Sequence, residues 1–275
     1  IKKILFIKKL SFIFDFRGLW VDERVEKGGW NLSKRFDLIQ FNAFKHLEKK
    51  MLQSAESVVV LTERLRSCLS EIANSKLKKI YVVPCCADFK HFLPVETIEK
   101  DKLLLSLKIP SNAFIVGYVG SIGSMYDMNS YFKLLDYAQK RNEDIYGLII
   151  TNDSNKVQKL FEESGINVLK SRIRIMSVNR KEIPKYFGLM SVSTIFLNDS
   201  YARLGTSPTK FAESLALGVP VIVSRNIGDL DEHISYLNAG ISIDLNDDNY
   251  QKKCLDEFKK FKQIDPQIIR SSSQK

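Results

Sequence analysis

Short, almost wholly apolar runs alternate with longer amphipathic stretches along most of this chain, and the alternation predicts its architecture. Positions 11–16 read as a strand, followed by a polar loop over 17–30 and an amphipathic helix over 36–54. A strand over 58–61 runs into Thr62, a residue able to cap a helix that begins at Glu63 and continues over 64–74. A strand over 80–83 is stopped by Pro84. The rhythm then breaks over 84–113, where prolines and one short helical stretch read as a crossing segment. A second series follows, with strands over 114–119, 146–150, 173–176, 193–197, 219–223 and 241–243. Helices over 129–140, 156–164, 181–190, 208–216, 231–238 and 249–262 lie between and after them. Strands with little internal alternation, separated by helices, signify parallel sheets covered on both faces. The fold class is therefore α/β. One complete doubly wound, Rossmann-like unit is expected over 96–275. Positions 1–95 read as the latter part of another, because three strands are too few for a whole one.

Composition narrows the class. The 275 residues are 44% hydrophobic and 27% charged, as in ordinary globular proteins. No run approaches the eighteen apolar residues that a membrane helix needs. The opening stretch ILFIKKLSFIFDF is broken by Lys8 and Lys9 and lacks a signal-peptide cleavage pattern, so it reads as sheet. With Ile1 rather than methionine in first place, the chain reads as the middle of a longer protein. Four cysteines without CxxC spacing and three scattered histidines argue against zinc and for a reducing, cytoplasmic setting. A net charge of +10 favours phosphorylated ligands, nucleic acid or an anionic membrane face. No recognition-helix or RNP-like pattern accompanies it, which argues against nucleic acid.

In sheets of this class ligands gather beyond the carboxyl ends of the strands. Three segments arrive there. In GYVGSIGSMYD, over 117–127, Gly120 and Gly123 flank Ser121 just after a strand, so a phosphate or sugar can approach the backbone and the next helix's open N–H groups. In LNDSYARLGTSPTKFAES, over 197–214, Ser207 is the expected N-cap and Pro208 the first helical residue. The N–H groups of Thr209 and Lys210 then face outward. Lys210 adds a mobile charge suited to a diphosphate. Glu213, one turn on, can accept from two vicinal hydroxyls such as those of a ribose. The third segment, SRNIGDLDEHI over 224–234, offers carboxylates expected to cap the following helix or line the mouth of the cleft. Elsewhere Asp15, Arg17, Asp22 and Glu23 read as a salt-bridged loop anchor or an acceptor-facing cluster. Asp88 reads as a fastener of the crossing segment.

SPTKFAESLALGVPVIVS over 207–224, with GYVGSIG upstream, VPCCADFKHF over 83–92 and DFRG over 15–18, resembles the retaining nucleotide-sugar-dependent glycosyltransferases of family 4. These have the GT-B fold of two facing Rossmann-like domains, and the likeness covers nearly the whole chain. It implies that Glu213 holds the ribose hydroxyls, Lys210 the diphosphate, and Thr209 a phosphate through its backbone. Ser207 would open that helix, Gly120 and Ser121 would lie near phosphates and sugar, and Val178 would face the nucleobase. Lys210 and Glu213 are the implied catalytic residues. The resemblance also implies no metal and no cofactor beyond the nucleotide-diphosphate sugar. The implied acceptor is a glycan or a lipid-linked glycan, and the +10 charge suits work at the inner membrane surface.

Two departures stand out. Family members commonly carry a second glutamate eight positions before the one at 213, where this chain has Gly205. They also commonly carry a cation soon after the first glycine loop, where SIGSMYDMN has none, leaving Tyr126 or Arg203 to substitute. The family's opening glycine-rich βα units also have no counterpart before Ser11. The alternatives are a nucleotide-sugar-binding subunit without turnover, supporting a partner that carries the missing half, and a two-domain nucleotide-sugar epimerase.

Overall fold

The computed structural model describes residues 11–72, 79–141, 144–166 and 170–274. The sheet expected before Ser11 and the end of the helix expected over 64–74 lie outside them. The described residues fall into two compact units. The first comprises 1–85 together with the segments 199–207 and 226–229, and the second comprises 86–198, 208–225 and 230–275.

The first unit runs β1 (Ile13–Asp15), α1 (Trp20–Glu26), α2 (Arg35–Ser54), β2 (Ser57–Val60), α3 (Glu63–Ile72) and β3 (Ile80–Val82). Its strands form one parallel sheet in the order β1-β2-β3, with Phe14 opposite Val58 and Val58 opposite Ile80. Phe16, Leu19, Leu52, Val58, Val60, Leu65 and Leu69 make its core, joined by Ala202 from the 3-10 turn Tyr201–Gly205. Thr62 caps α3 as the sequence implies: its hydroxyl accepts from the Leu65 N–H at 3.0 Å and donates to the Leu204 carbonyl. Where a loop was expected over 17–30, Trp20–Glu26 is helical. Its helix lacks an apolar stripe, and what holds it is an aromatic cluster of Trp20, Trp30 and Phe44 with the Arg24 guanidinium over both indoles.

The second unit runs α4 (Thr97–Ser106), β4 (Phe114–Val119), α5 (Met128–Gln139), β5 (Ile145–Ile150), α6 (Ser154–Glu163), β6 (Ile173–Met176) and α7 (Ile183–Phe187). It continues through β7 (Val192–Ile195), α8 (Thr209–Ala216), β8 (Val221–Ser224), α9 (Leu230–Leu237), β9 (Gly240–Ile243), α10 (Tyr250–Phe261) and α11 (Pro266–Ser273). All six strands are parallel, in the order β6-β5-β4-β7-β8-β9. That is the doubly wound order, and the chain reverses direction across the sheet between β4 and β7. Side chains alternate across β4. Phe114, Val116 and Tyr118 meet α5 and α10 on one face, while Ile115 and Val119 meet residues of α4, α7 and α8 on the other. Gly117 sits where a Cβ would come within 1.8 Å of the Met190 sulfur, so the strand leaves that position empty for a packed methionine.

Helix α11 was not expected from the sequence. Asp265 caps it by accepting from the Gln267 N–H, and Pro266 opens it.

Candidate functional site

Helix α8 carries the two residues of greatest chemical interest. Its start differs from expectation: Pro208 is the N-cap, Thr209 the first helical residue, and no side chain caps the end. The Ser207 hydroxyl instead accepts from the Cys85 N–H at 3.1 Å, within the first unit. A proline at the cap offers no hydroxyl, so Ser207 takes a partner elsewhere. Lys210 therefore stands in the first turn, where the helix dipole disfavours a cation. Its ammonium pairs with Glu213 at 2.5 Å, one turn on, and the Glu213 side chain is nearly buried.

Both residues line a cavity of about 370 Å³ beyond the carboxyl ends of β4, β5 and β6. Gly120 and Ser121 enter from β4, Thr151 and Asn152 from β5, Val178 and Arg180 from β6, and Phe92 from the crossing segment. This edge lies beside the switch point, where a doubly wound sheet leaves room for a ligand. Of the predicted set, Gly120, Ser121, Val178, Lys210 and Glu213 are brought together. Thr209 is exposed and does not line the cavity, and Ser207 belongs to the first unit.

The glycine loop is fixed from two sides. The Tyr118 hydroxyl donates to the Ser121 carbonyl at 2.7 Å, and burial pushes that hydroxyl's pKa far upward, so it stays a donor. The Asp153 carboxylate accepts from the Ile122 N–H at 2.9 Å and pairs with Lys156. The Ile122 bond is the main cause that holds its pKa below the ordinary carboxylate value, with Lys156 adding to it. Gly120 has φ +156°, a conformation that side-chain-bearing residues rarely adopt. At the start of α5, Asp127 caps the helix by accepting from the Ser130 N–H.

Three polar groups on the cavity went unread in the sequence: Thr151, whose hydroxyl accepts from the Asp153 N–H at 3.1 Å, Asn152 and Arg180. Asn152 accepts from the Ser177 hydroxyl at 2.6 Å, so its amide NH₂ is what it offers a ligand. Arg180 brings a second cation to the cavity lining. Its one sequence signal was an adjacent basic pair, Arg180–Lys181, just past a strand end. The expected substitutes take other partners. The Arg203 side chain is buried in the first unit against Asp199, and Tyr126 packs edge-on against Tyr118. At Gly205 a Cβ would lie 2.9 Å from the Leu65 side chain and 3.1 Å from the Gly18 backbone, so a larger residue there requires its neighbours to shift.

The remaining candidates pair within their own unit. Asp15 pairs with Arg17, Asp22 with Lys45, and Lys45 also with the nearly buried Glu48. Asp88 accepts from the N–H groups of Lys90 and His91, fastening the crossing segment. Asp229 accepts from the N–H groups of Glu63 and Arg64 at the start of α3, so that carboxylate caps α3. A larger cavity of about 490 Å³ lies in the first unit, lined by Trp20, Phe44, Leu47 and Met51. Three carboxylates against one arginine on its lining make it unsuited to an anion. Among the described residues no cluster of side chains has the make-up of a metal site, and no helix is long and apolar enough to cross a membrane.

No family model matches the chain, and no curated protein matches it. Solved structures do. A sucrose-phosphate synthase from Thermosynechococcus elongatus is similar over 99% of this chain and 63% of its own, at 17% identity and a TM-score of 0.65. HepE from Anabaena, in complex with UDP and glucose, is similar over 96% of this chain and 66% of its own, at 12% identity and a TM-score of 0.65. A glycosyltransferase from Rickettsia africae is similar over 85% of this chain and 60% of its own, at 18% identity and a TM-score of 0.62. The chain thus spans 60% to 66% of the length of these structures. At this identity the likeness concerns the fold: the chain has the parallel-sheet α/β fold of GT-B glycosyltransferases.

Proposed function

We propose that this cavity binds the nucleoside diphosphate of a nucleotide sugar, and that the protein is a retaining glycosyltransferase of the family 4 kind acting on a glycan or lipid-linked acceptor. The observation that carries the reading is the convergence of Lys210, Arg180 and Glu213 with the Gly120–Ser121 loop on one cavity at the carboxyl edge of the sheet. The fold it shares with HepE, solved with UDP and glucose, supports the same ligand class.

In the ligand-free protein Glu213 offsets the charge of Lys210. A diphosphate would draw the ammonium toward its oxygens and leave the Glu213 carboxylate for the two ribose hydroxyls. Lys210 and Arg180 would oppose the negative charge that grows on the diphosphate as the bond to the sugar's anomeric carbon breaks. The acceptor oxygen attacks that carbon from the face the diphosphate leaves, and its proton passes to a departing phosphate oxygen. This retains configuration and uses no metal.

Calorimetry with UDP, GDP and their sugar conjugates tests the reading. Loss of at least about tenfold in affinity on both Lys210→Ala and Glu213→Ala is expected. Unchanged affinity in both would sink the site. Glycine at 205, in place of the second carboxylate, favours a second reading, a binding subunit without turnover. Sugar release or transfer by the full chain would exclude it.

A further inference from the structure

Two parts of the cavity wall converge on a side chain that does not itself line the cavity. Arg270, on α11, donates to three backbone carbonyls. The Nη1 nitrogen reaches Phe92 at 2.6 Å and Ala216 at close range, and Nη2 reaches Phe89 at 2.7 Å. Phe92 lines the cavity. Ala216 is the last residue of α8, one turn beyond Glu213, and its carbonyl is among those a helix leaves open at its carboxyl end. The guanidinium thus satisfies an orphan carbonyl and opposes the negative end of the α8 dipole while holding the crossing segment by two more bonds. It also lies over the Phe89 ring at 4.9 Å.

A second contact fixes the same pair of helices. Gly218, at φ +71°, turns the chain out of α8 so closely over α11 that a Cβ there would lie 2.4 Å from the Pro266 carbonyl oxygen. Ile269, next to Arg270, is buried. These contacts leave α8 little freedom to shift along its axis.

We infer that Arg270 is a positioning residue: it joins the Phe92 wall to the α8 wall from behind and so sets the placement of Lys210 and Glu213 toward a nucleoside diphosphate. The inference rests on the nucleotide reading of the cavity. The planar fork holds the three carbonyls from two nitrogens set a fixed distance apart. Lysine would keep the charge but donate from a single rotating nitrogen, and so lose the fixed geometry of the bridge.

The test uses the full chain and its Arg270→Lys and Arg270→Gly variants. In ligand-free protein, amide hydrogen exchange should quicken at 89–92 and 213–217 in Arg270→Lys, with β4 and β5 still protected. UDP affinity should fall about tenfold. In Arg270→Gly, added guanidinium ion should restore slow exchange at 89–92 and 213–217 together with UDP affinity. Unchanged exchange at both walls overturns the inference. So does loss of protection throughout β4 and β5, since α11 would then only hold the fold together. If the wild-type protein binds neither UDP nor GDP, the nucleotide reading fails by itself, and the exchange pattern still decides whether Arg270 joins the two walls.

Discussion

At the scale of single residues, the charge placement around α8 is unusual for stability alone. A lysine in the first turn of a helix works against the dipole, and its glutamate partner one turn on is nearly buried. Arg180→Ala should weaken binding of UDP-linked sugars as Lys210→Ala does, and should flatten the salt dependence of the affinity, because one screened cation is removed. Calorimetry at low and high salt measures both. Asp153 acts one step further out, through the backbone of the glycine loop. Its folded-state pKa is depressed, so its contribution is fully present above about pH 4, the ordinary carboxylate value, and is lost as pH falls through the lower folded value. Asp153→Asn should therefore reduce stability near neutrality and flatten its decline on acidification, as urea unfolding at a series of pH values would record.

At the scale of elements, most strands and helices were legible because apolar period and length are local properties. Phe114–Val119 and Ile173–Met176 fall where the apolar runs place them. Thr62 caps α3 as read, and Thr62→Ala should cost about 0.5–2 kcal/mol in denaturant unfolding, with the lost bond to Leu204 pushing toward the upper end. Gly117→Ala should cost about 1–3 kcal/mol, because its methyl would collide with Met190. Pairing it with Met190→Ala should recover part of that loss, a non-additivity visible in a double-mutant cycle. The elements missed were those made by context. Helix α1 stands on a tryptophan cluster assembled with α2. Helix α11 begins with a readable Asp-Pro start, yet its long-range role rests on what Arg270 reaches. The start of α8 shifted by one residue because Ser207 found the Cys85 amide instead of its own helix.

At the scale of the whole molecule, two segments far along the chain belong to the first unit's core. Ala202 packs among Leu65 and Leu69, and Asp229 caps α3. Ala202→Asp would bury a carboxylate there. It should strip amide-exchange protection from 57–69 while β4 and β5 keep theirs, although position 202 lies between strands of the second unit in sequence. The sequence by itself determined the parallel α/β class, most of the succession of strands and helices, and the placing of a cation and a carboxylate one turn apart on one helix, all of which follow from spacing along the chain. The tertiary structure alone decided which side chains share the cavity. It brought Arg180 to the cavity, placed Ser207 and Arg203 in the first unit, packed Gly205 closely against Leu65 and Gly18, and set Arg270 behind both walls. Those outcomes depend on how distant segments approach one another, and no local period encodes that approach.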